Sequence, residues 1–257
     1  MSAAKTAIVT GASRGIGRGI ALTLAEAGWS VAVNYASNQA AADEVVELIT
    51  KNGGTAAAIQ ADVAKAPDRQ RLADRTEQQL GPITLLVNNA GISSPDRGKD
   101  LLETTEQSFD TIIATNVKSA HFMTQTVAKK MIAAGPADTP RSIINIGSIS
   151  AFTASIDRAD YCISRAATSM VTQTWAVRLA PENINVYEIR PGIIKTDMTA
   201  AVTEKYDQLI DNGLLPIARW GQPDDIGKAA ATLASGSIPY STGQIIHIDG
   251  GFHLRRL

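Results

Sequence analysis

One cysteine, Cys162, stands among 257 residues. No internal disulfide framework is possible, and the chain suits a reducing compartment. Its three histidines, His121, His247 and His253, are too scattered along the sequence to suggest a metal site. No cysteine–histidine group has zinc spacing, so no metal is expected. Neither sign of charge is in excess. A formal net charge of -1 gives no global attraction to nucleic acid or to an anionic membrane. Aromatic residues are scarce, at 5%, and there is neither a basic stripe nor a stacking platform for nucleic acid. No apolar run approaches the roughly 20 residues of a membrane span. Met1 to Lys5 lead straight into an apolar strand pattern, without the charged start and long apolar core of a signal peptide. The expectation is a cytoplasmic protein with no nucleic-acid or membrane partner.

What is present is an alternation. Strand-like runs are Thr6–Thr10, Ser30–Tyr35, Ala56–Ala61, Leu85–Asn88, Ser142–Gly147, Ile184–Glu188 and Ile245–Ile248. Several are unbroken apolar runs, as a strand needs when helices cover both of its faces. Between them lie helical patterns such as Gly15–Ala27, Ala40–Asn52, Asp68–Leu80, Gln107–Ala134 and Tyr161–Leu179. Alternation of this kind argues for an α/β fold with a parallel sheet. Right-handed crossovers then make a Rossmann-type, doubly wound, seven-stranded sheet the leading choice. Pro136–Pro140 and Ser93–Asp100 read as surface loops. Neither is long enough to link two domains, so residues 1–257 are expected to form one. The long irregular stretch Ile193–Pro216 follows a strand and should sit as a lid over the carboxyl edge of the sheet, where ligands bind.

The first strand ends in Thr10-Gly11-Ala12-Ser13-Arg14-Gly15-Ile16-Gly17. Glycines here permit a tight turn and close approach of a cofactor backbone. The following helix N-terminus offers free N–H groups and a positive dipole end to a pyrophosphate. The spacing is not G-x-G-x-x-G, and no Gly-Lys-Ser/Thr follows, so this is not a P-loop. An NAD site carries an acid about twenty positions further on, at the end of the second strand. That strand ends Asn34-Tyr35-Ala36-Ser37-Asn38, with no carboxylate. A 2′-phosphate is therefore tolerated, and Arg14 and Ser37 could bind it. NADP(H) is expected over NAD(H), with NAD(H) possible.

A second constellation lies downstream: Tyr161-Cys162-Ile163-Ser164-Arg165, with Ser148 thirteen residues before Tyr161 and Asn116 thirty-two before Ser148. Together with the glycine turn, these residues resemble the short-chain dehydrogenase/reductase family, and among its branches the bacterial 3-oxoacyl-(acyl-carrier-protein) reductases. The likeness runs nearly the whole chain, to Ser241-Thr242-Gly243-Gln244 and Asp249-Gly250-Gly251. It implies hydride transfer between a nicotinamide cofactor and a carbonyl or secondary alcohol, the hard chemistry being the cofactor's. It implies that Ser148 bonds the substrate oxygen, that Tyr161 gives or takes its proton, and that Asn116 holds a water. Implied cofactor contacts are Gly11, Ser13, Arg14, Gly15, Ile16 and Gly17, then Tyr35 and Ser37, and Asp62-Val63 toward the adenine. Asn89, Ala90 and Gly91 follow, with Pro191, Gly192, Ile194 and Thr196 closing on the nicotinamide. Asn88, in the same Asn-Asn-Ala-Gly motif, either contacts the cofactor or braces the sheet.

One position departs from the family pattern: Arg165 stands where the family has lysine. A tyrosine of pKa about 10 is a poor base at neutral pH, and a neighbouring cation can depress it by about one to three units. Arg165 can supply that charge and can grip a ribose. It cannot readily relay protons, since its pKa of about 12.5 or above keeps it protonated. An active but slower enzyme is expected; the alternative is a cofactor-binding protein that has lost catalysis and acts as a sensor or oligomer partner. Four residues apart on a helix, Tyr161 and Arg165 share a face, which leaves Cys162 off that face as packing. Near them Ser150, Arg158, Asp160 and the lid Thr196–Pro216 are expected to select the substrate, Arg158 binding an anionic or polyol group or pairing with Asp160. Lys129 and Lys130 could dock an acyl carrier protein but read more simply as a solvated face, diluted by Glu182 and Asp138. By analogy with the family, a homotetramer pairing through Gln107–Ala134 and Tyr161–Leu179 is expected.

Overall fold

Along Thr6–Val9, the first strand (β1), Ala7 and Val9 enter one apolar cluster while Ile8 enters another. Successive side chains of a strand point to opposite faces, so this strand lies inside a sheet covered on both sides. In the computed structural model, which describes residues 5–136 and 138–255, that pattern holds for the central strands. Residues 1–4 and 256–257, and Ala137 of the expected 136–140 loop, lie outside the described residues. After β1 come α1 (Gly15–Glu26), β2 (Ser30–Tyr35), α2 (Gln39–Lys51), β3 (Thr55–Gln60), α3 (Ala66–Leu80) and β4 (Leu85–Asn88). The second half holds α4 (Glu106–Ile112), α5 (Ser119–Ala133), β5 (Arg141–Ile146), α6 (Ala159–Leu179), β6 (Ile184–Pro191), α7 (Thr203–Asp211), α8 (Pro223–Ala234) and β7 (Ile245–Ile248).

The seven strands are all parallel, in the order β3-β2-β1-β4-β5-β6-β7. Strand order reverses between β1 and β4, and the crevice outside the carboxyl ends of those strands is where such sheets bind ligands. On one face Val9, Val33, Val87 and Ile146 pack with Ile20 and Leu24 of α1, Val45 of α2, and Ile226 and Leu233 of α8. On the other, Ile8, Leu86 and Ile143 pack with Leu72 of α3, Met123 and Val127 of α5, and Leu179 of α6.

Two elements differ from the sequence reading. The expected helix Gln107–Ala134 is interrupted: α4 and α5 are joined by a π-helical stretch, Ile113–Lys118. The extra residue per turn carries Asn116 into the interior, where it is 2% exposed. Helix α8 was not foreseen, although it carries a start signal: Pro223 in the first turn, and Asp225, whose carboxylate accepts the Gln222 N–H at 2.8 Å. The lid stretch contains a 3-10 turn, Asp197–Val202, followed by α7.

Asn88 proves to be a brace. Its amide donates to Asn145 Oδ1 and Thr124 Oγ1, both at 2.9 Å, and Asn145 Nδ2 donates on to Thr172 Oγ1 at 2.9 Å. This buried chain ties β4 and β5 to α5 and α6. Asn88→Ala strands buried partners and is expected to cost about 1–3 kcal/mol, read as a lower denaturation midpoint; an unchanged midpoint would show the brace to be dispensable.

Candidate active site

The turn after β1 is held from three sides. Gly11 N–H donates to Asn34 Oδ1 at 3.1 Å, and the Asn34 amide donates to Ala61 O at 3.0 Å, so this side chain at the end of β2 joins three strand ends. Asn89 Nδ2 donates to Thr10 O at 2.9 Å and Gly11 O at 3.1 Å. The Thr10 hydroxyl accepts from Asn89 N and Ala90 N, both at 2.9 Å. Packing here is so close that a Cβ on Gly17 would lie 2.3 Å from Gly11 O and 2.5 Å from Asn89 Nδ2. Asn34 was missed in the sequence because a polar residue inside a strand gives no sign of where it points.

Helix α1 starts from this turn without a cap: Arg14 makes no side-chain capping bond, and no acid sits in the first turn. The first N–H groups of a helix lack intrahelical partners, so the backbone at Gly15–Gly17 fits the pyrophosphate of a dinucleotide. The lid crosses the same turn. Thr196 Cγ2 lies 3.4 Å from where a Cβ on Gly15 would be, and Arg14 faces Asp197 at 3.8 Å.

From this turn a cleft of about 510 Å³ runs along the carboxyl edge of β1, β4, β5 and β6. Of the expected cofactor residues, Gly11, Arg14, Gly15, Ile16, Gly17, Asn89, Ala90, Gly91, Pro191, Gly192, Ile194 and Thr196 line it. Ser13, Tyr35, Ser37, Asp62 and Val63 do not. Tyr35 is buried in the core, Ser37 is exposed, and Asp62 Oδ1 accepts the Ala64 N–H at 3.0 Å. Of the expected catalytic residues, Ser148, Tyr161 and Arg165 line the cleft. Asn116 sits behind it. Its Oδ1 accepts the Ile92 N–H at 2.9 Å, and its Nδ2 donates to Ile92 O at 3.1 Å and Ser164 Oγ at 3.2 Å. Its side chain thus clamps the loop just beyond Gly91 to α6.

Tyr161 is buried, with its ring flanked by two guanidinium groups, Arg165 at 4.9 Å and Arg158 at 5.4 Å. Burial pushes its phenol pKa up. The Arg165 charge opposes this most strongly, followed by hydrogen bonding from Ser148 and Arg165 and by the Arg158 charge, and the balance falls below the ordinary tyrosine value. Arg165 is itself 7% exposed. Its Nη1 donates to Ile146 O at 3.0 Å, and its Nη2 lies 2.6 Å from where a Cβ on Gly91 would be. Only glycine leaves room there for the guanidinium. The Arg165 Nε is buried without a hydrogen-bond partner among the described residues.

Several expectations change on contact with the geometry. Asp160 does not pair with Arg158: its Oδ2 accepts from Ser108 Oγ at 2.7 Å and Ser94 Oγ at 2.9 Å. Arg158 lines the cleft instead, joined by Arg97, Met198 and Tyr206, which the sequence did not single out. Lys130 is bound to Asp74 and Glu77, each at 2.7 Å, so it offers no free cation for docking. Cys162 is half-buried, its thiol facing Thr153 O at 3.7 Å. The histidines are less scattered than they look. His247 and His253 stack at 4.4 Å, and His253 Nδ1 lies 2.9 Å from Asp249 Oδ2. Asp249 Oδ1 also accepts the Gly251 N–H at 2.9 Å, so the group clasps the C-terminal turn. No described helix is long and apolar enough to cross a membrane.

Comparison with known proteins agrees with this geometry. A family model described as Enoyl-(Acyl carrier protein) reductase matches residues 11–253. The 3-oxoacyl-(acyl-carrier-protein) reductase of Staphylococcus aureus is 39% identical over 255 residues, 99% of this chain and 100% of that one. A crystal structure of 3-oxoacyl-(acyl-carrier-protein) reductase from Brucella melitensis in complex with NAD superposes with a TM-score of 0.95 at 40% identity, covering all of both chains. A short-chain dehydrogenase/reductase from Serratia marcescens superposes at 0.87 and 33% identity, over 97% of this chain and 98% of that one. With its glycine turn, its Ser148–Tyr161 pair and its seven-stranded parallel sheet, the chain belongs to the short-chain dehydrogenase/reductase family of oxidoreductases, which act on carbonyl and alcohol groups.

Proposed function

We propose that this protein is an NADP(H)-dependent reductase of a carbonyl substrate, or dehydrogenase of the matching secondary alcohol. The observation that carries the reading is the meeting of Ser148, Tyr161 and Arg165 in one cleft with the uncapped glycine turn. The nicotinamide supplies or accepts the hydride when bound. Ser148 Oγ donates to the substrate oxygen, and Tyr161 Oη passes a proton to it in reduction or takes one in oxidation. Arg165 favours the phenolate by its charge and would hold the cofactor ribose. Asn116 positions α6 through Ser164. The reading of a non-catalytic sensor gains nothing from this arrangement. Loss of absorbance at 340 nm on mixing the protein, NADPH and 2,3-butanedione tests it; no turnover with this or other reactive ketones would refute it.

The preference for NADP(H) rests on what β2 lacks. No carboxylate follows it to repel a 2′-phosphate, Ser37 is exposed, and the Arg14 side chain is 63% exposed and, among the described residues, ion-paired only with the distant Asp197. An exposed pair at that separation is weak, so Arg14 is free to turn to a phosphate. NADPH is expected to bind about tenfold or more tightly than NADH in a fluorescence titration, and Arg14→Ala to weaken NADPH alone. A tenfold preference for NADH would overturn this reading.

A cytoplasmic homotetramer is part of the same proposal. Ile163, Met170 and Val177 recur every seven residues along α6 and are 50%, 58% and 78% exposed, which supports a helix face covered by another copy.

A further inference from the structure

Two further arginines, Arg97 and Arg158, line the cleft, and the chemistry above uses only the charge of Arg158 beside Tyr161. Gly98 N–H donates to Asp157 O at 3.0 Å, which fastens the loop after β4 to the turn before α6. The neighbours of this bond, Arg97 and Arg158, both line the cleft. Arg158 reaches the reacting centre, its guanidinium carbon 5.4 Å from the Tyr161 ring. Among the described residues, neither side chain makes an ion pair or a hydrogen bond to another side chain. The nearby carboxylates are engaged elsewhere. Asp96 is held by Lys99 Nζ at 2.6 Å and by Thr105, and Asp160 by the two serines. Asp157 is exposed and pairs with neither. The cleft as a whole is lined by four arginines and one described carboxylate, Asp197, which faces Arg14 at the other end.

Guanidinium groups left unpaired beside a concave, part-apolar wall suit a planar oxyanion, which two such forks can grip. The position is close to the chemistry. A cleft of about 510 Å³ that also receives a nicotinamide leaves space for a small substrate. We propose that Arg97 and Arg158 form an oxyanion subsite, so that the substrate carries a carboxylate or phosphate within a few bonds of its reacting carbon. This rests on the reductase reading and adds the substrate class to it. Small keto acids or phosphorylated ketones, with the corresponding hydroxy compounds, are then favoured over neutral ketones.

The test uses charged and neutral partners of similar size: acetoacetate against methyl acetoacetate, and dihydroxyacetone phosphate against dihydroxyacetone. For the native protein, kcat/KM with NADPH should favour the charged member of at least one pair by about tenfold or more. The pair that discriminates identifies carboxylate or phosphate. In Arg158→Gln that ratio should fall toward one, Arg97→Gln should lower it in part, and Arg158→Lys should retain some of it. The ratio is the informative readout, because losing the Arg158 charge near Tyr161 slows both members of a pair alike. A ratio near one in the native protein, or one that survives both glutamine variants, overturns the subsite. Reduction of 2,3-butanedione in the same assay separates the two levels, since its turnover with no discrimination leaves the reductase standing and removes the subsite. If no ketone turns over, the reductase reading falls, and calorimetric titration with malonate and inorganic phosphate judges the subsite alone. Binding weakened at least fivefold in Arg158→Gln upholds it, and equal or absent binding overturns it.

Discussion

Tyr161→Phe is expected to lower kcat for carbonyl reduction by about two to four orders of magnitude, the range a positioned proton donor supplies. Cofactor affinity should change little. Phenylalanine keeps the ring in its slot between Arg158 and Arg165, so the loss isolates the hydroxyl. Steady-state turnover and a cofactor titration on the same variant check both halves. A kcat within about threefold of native would move the proton donor elsewhere. The native enzyme carries a related signature in its pH dependence. The phenol is lowered from its ordinary value, since Arg165, Ser148 and Arg158 together outweigh the effect of burial. Reduction needs the protonated phenol, so its rate falls as pH rises through the Tyr161 pKa. Oxidation needs the phenolate and rises through the same pKa. Both limbs should be absent from the residual activity of Tyr161→Phe.

The sheet was legible in the sequence for a simple reason. Runs such as Ala7-Ile8-Val9 and Leu85-Leu86-Val87 are apolar without alternation, and only burial on both faces explains that. The glycine turn was legible because a strand-to-helix turn needs glycines at close spacing, whereas Tyr161 was singled out only by the resemblance to the family. What stayed hidden depends on one residue of register or on direction. Apolar periodicity across Gln107–Ala134 cannot register the π-helical stretch at Ile113–Lys118, and so it could not show that Asn116 turns inward to clamp Ile92 and Ser164. Arg97 and Arg158 are 61 positions apart, and long-range bonds such as Gly98–Asp157 and Ser94–Asp160 bring their loops together. His247 lies on β7 and Asp249 just past its end, while His253 returns to them through a turn set by Asp249 itself. Local pattern carries the elements; long-range hydrogen bonds decide which side chains meet.

Arg165 is where sequence and structure bear most directly on rate. Arg165→Met removes the largest influence that opposes burial at Tyr161. The phenol should then rise, since burial is left with less to oppose it, and alcohol oxidation at neutral pH should slow by about tenfold or more. The rate of the variant should recover as pH is raised; a profile that stays at the native position would show that Arg165 does not set the Tyr161 pKa. Arg165→Lys separates charge from proton relay. An ammonium retains the positive charge and three donors, and it can give up a proton where a guanidinium cannot. It also leaves no buried Nε, which in the native protein has no hydrogen-bond partner among the described residues. Against this, the bond from Nη1 to Ile146 O is lost, and that carbonyl must be met by the ammonium or by water. The lysine variant is expected to turn over several-fold faster than native with cofactor binding preserved. Single-turnover rates in light and heavy water check the cause. A larger kcat with a smaller solvent isotope effect would place the slow step of the native enzyme in proton delivery. An unchanged or lower kcat would mean that the native arginine already lets protons pass, through the ribose hydroxyl and water.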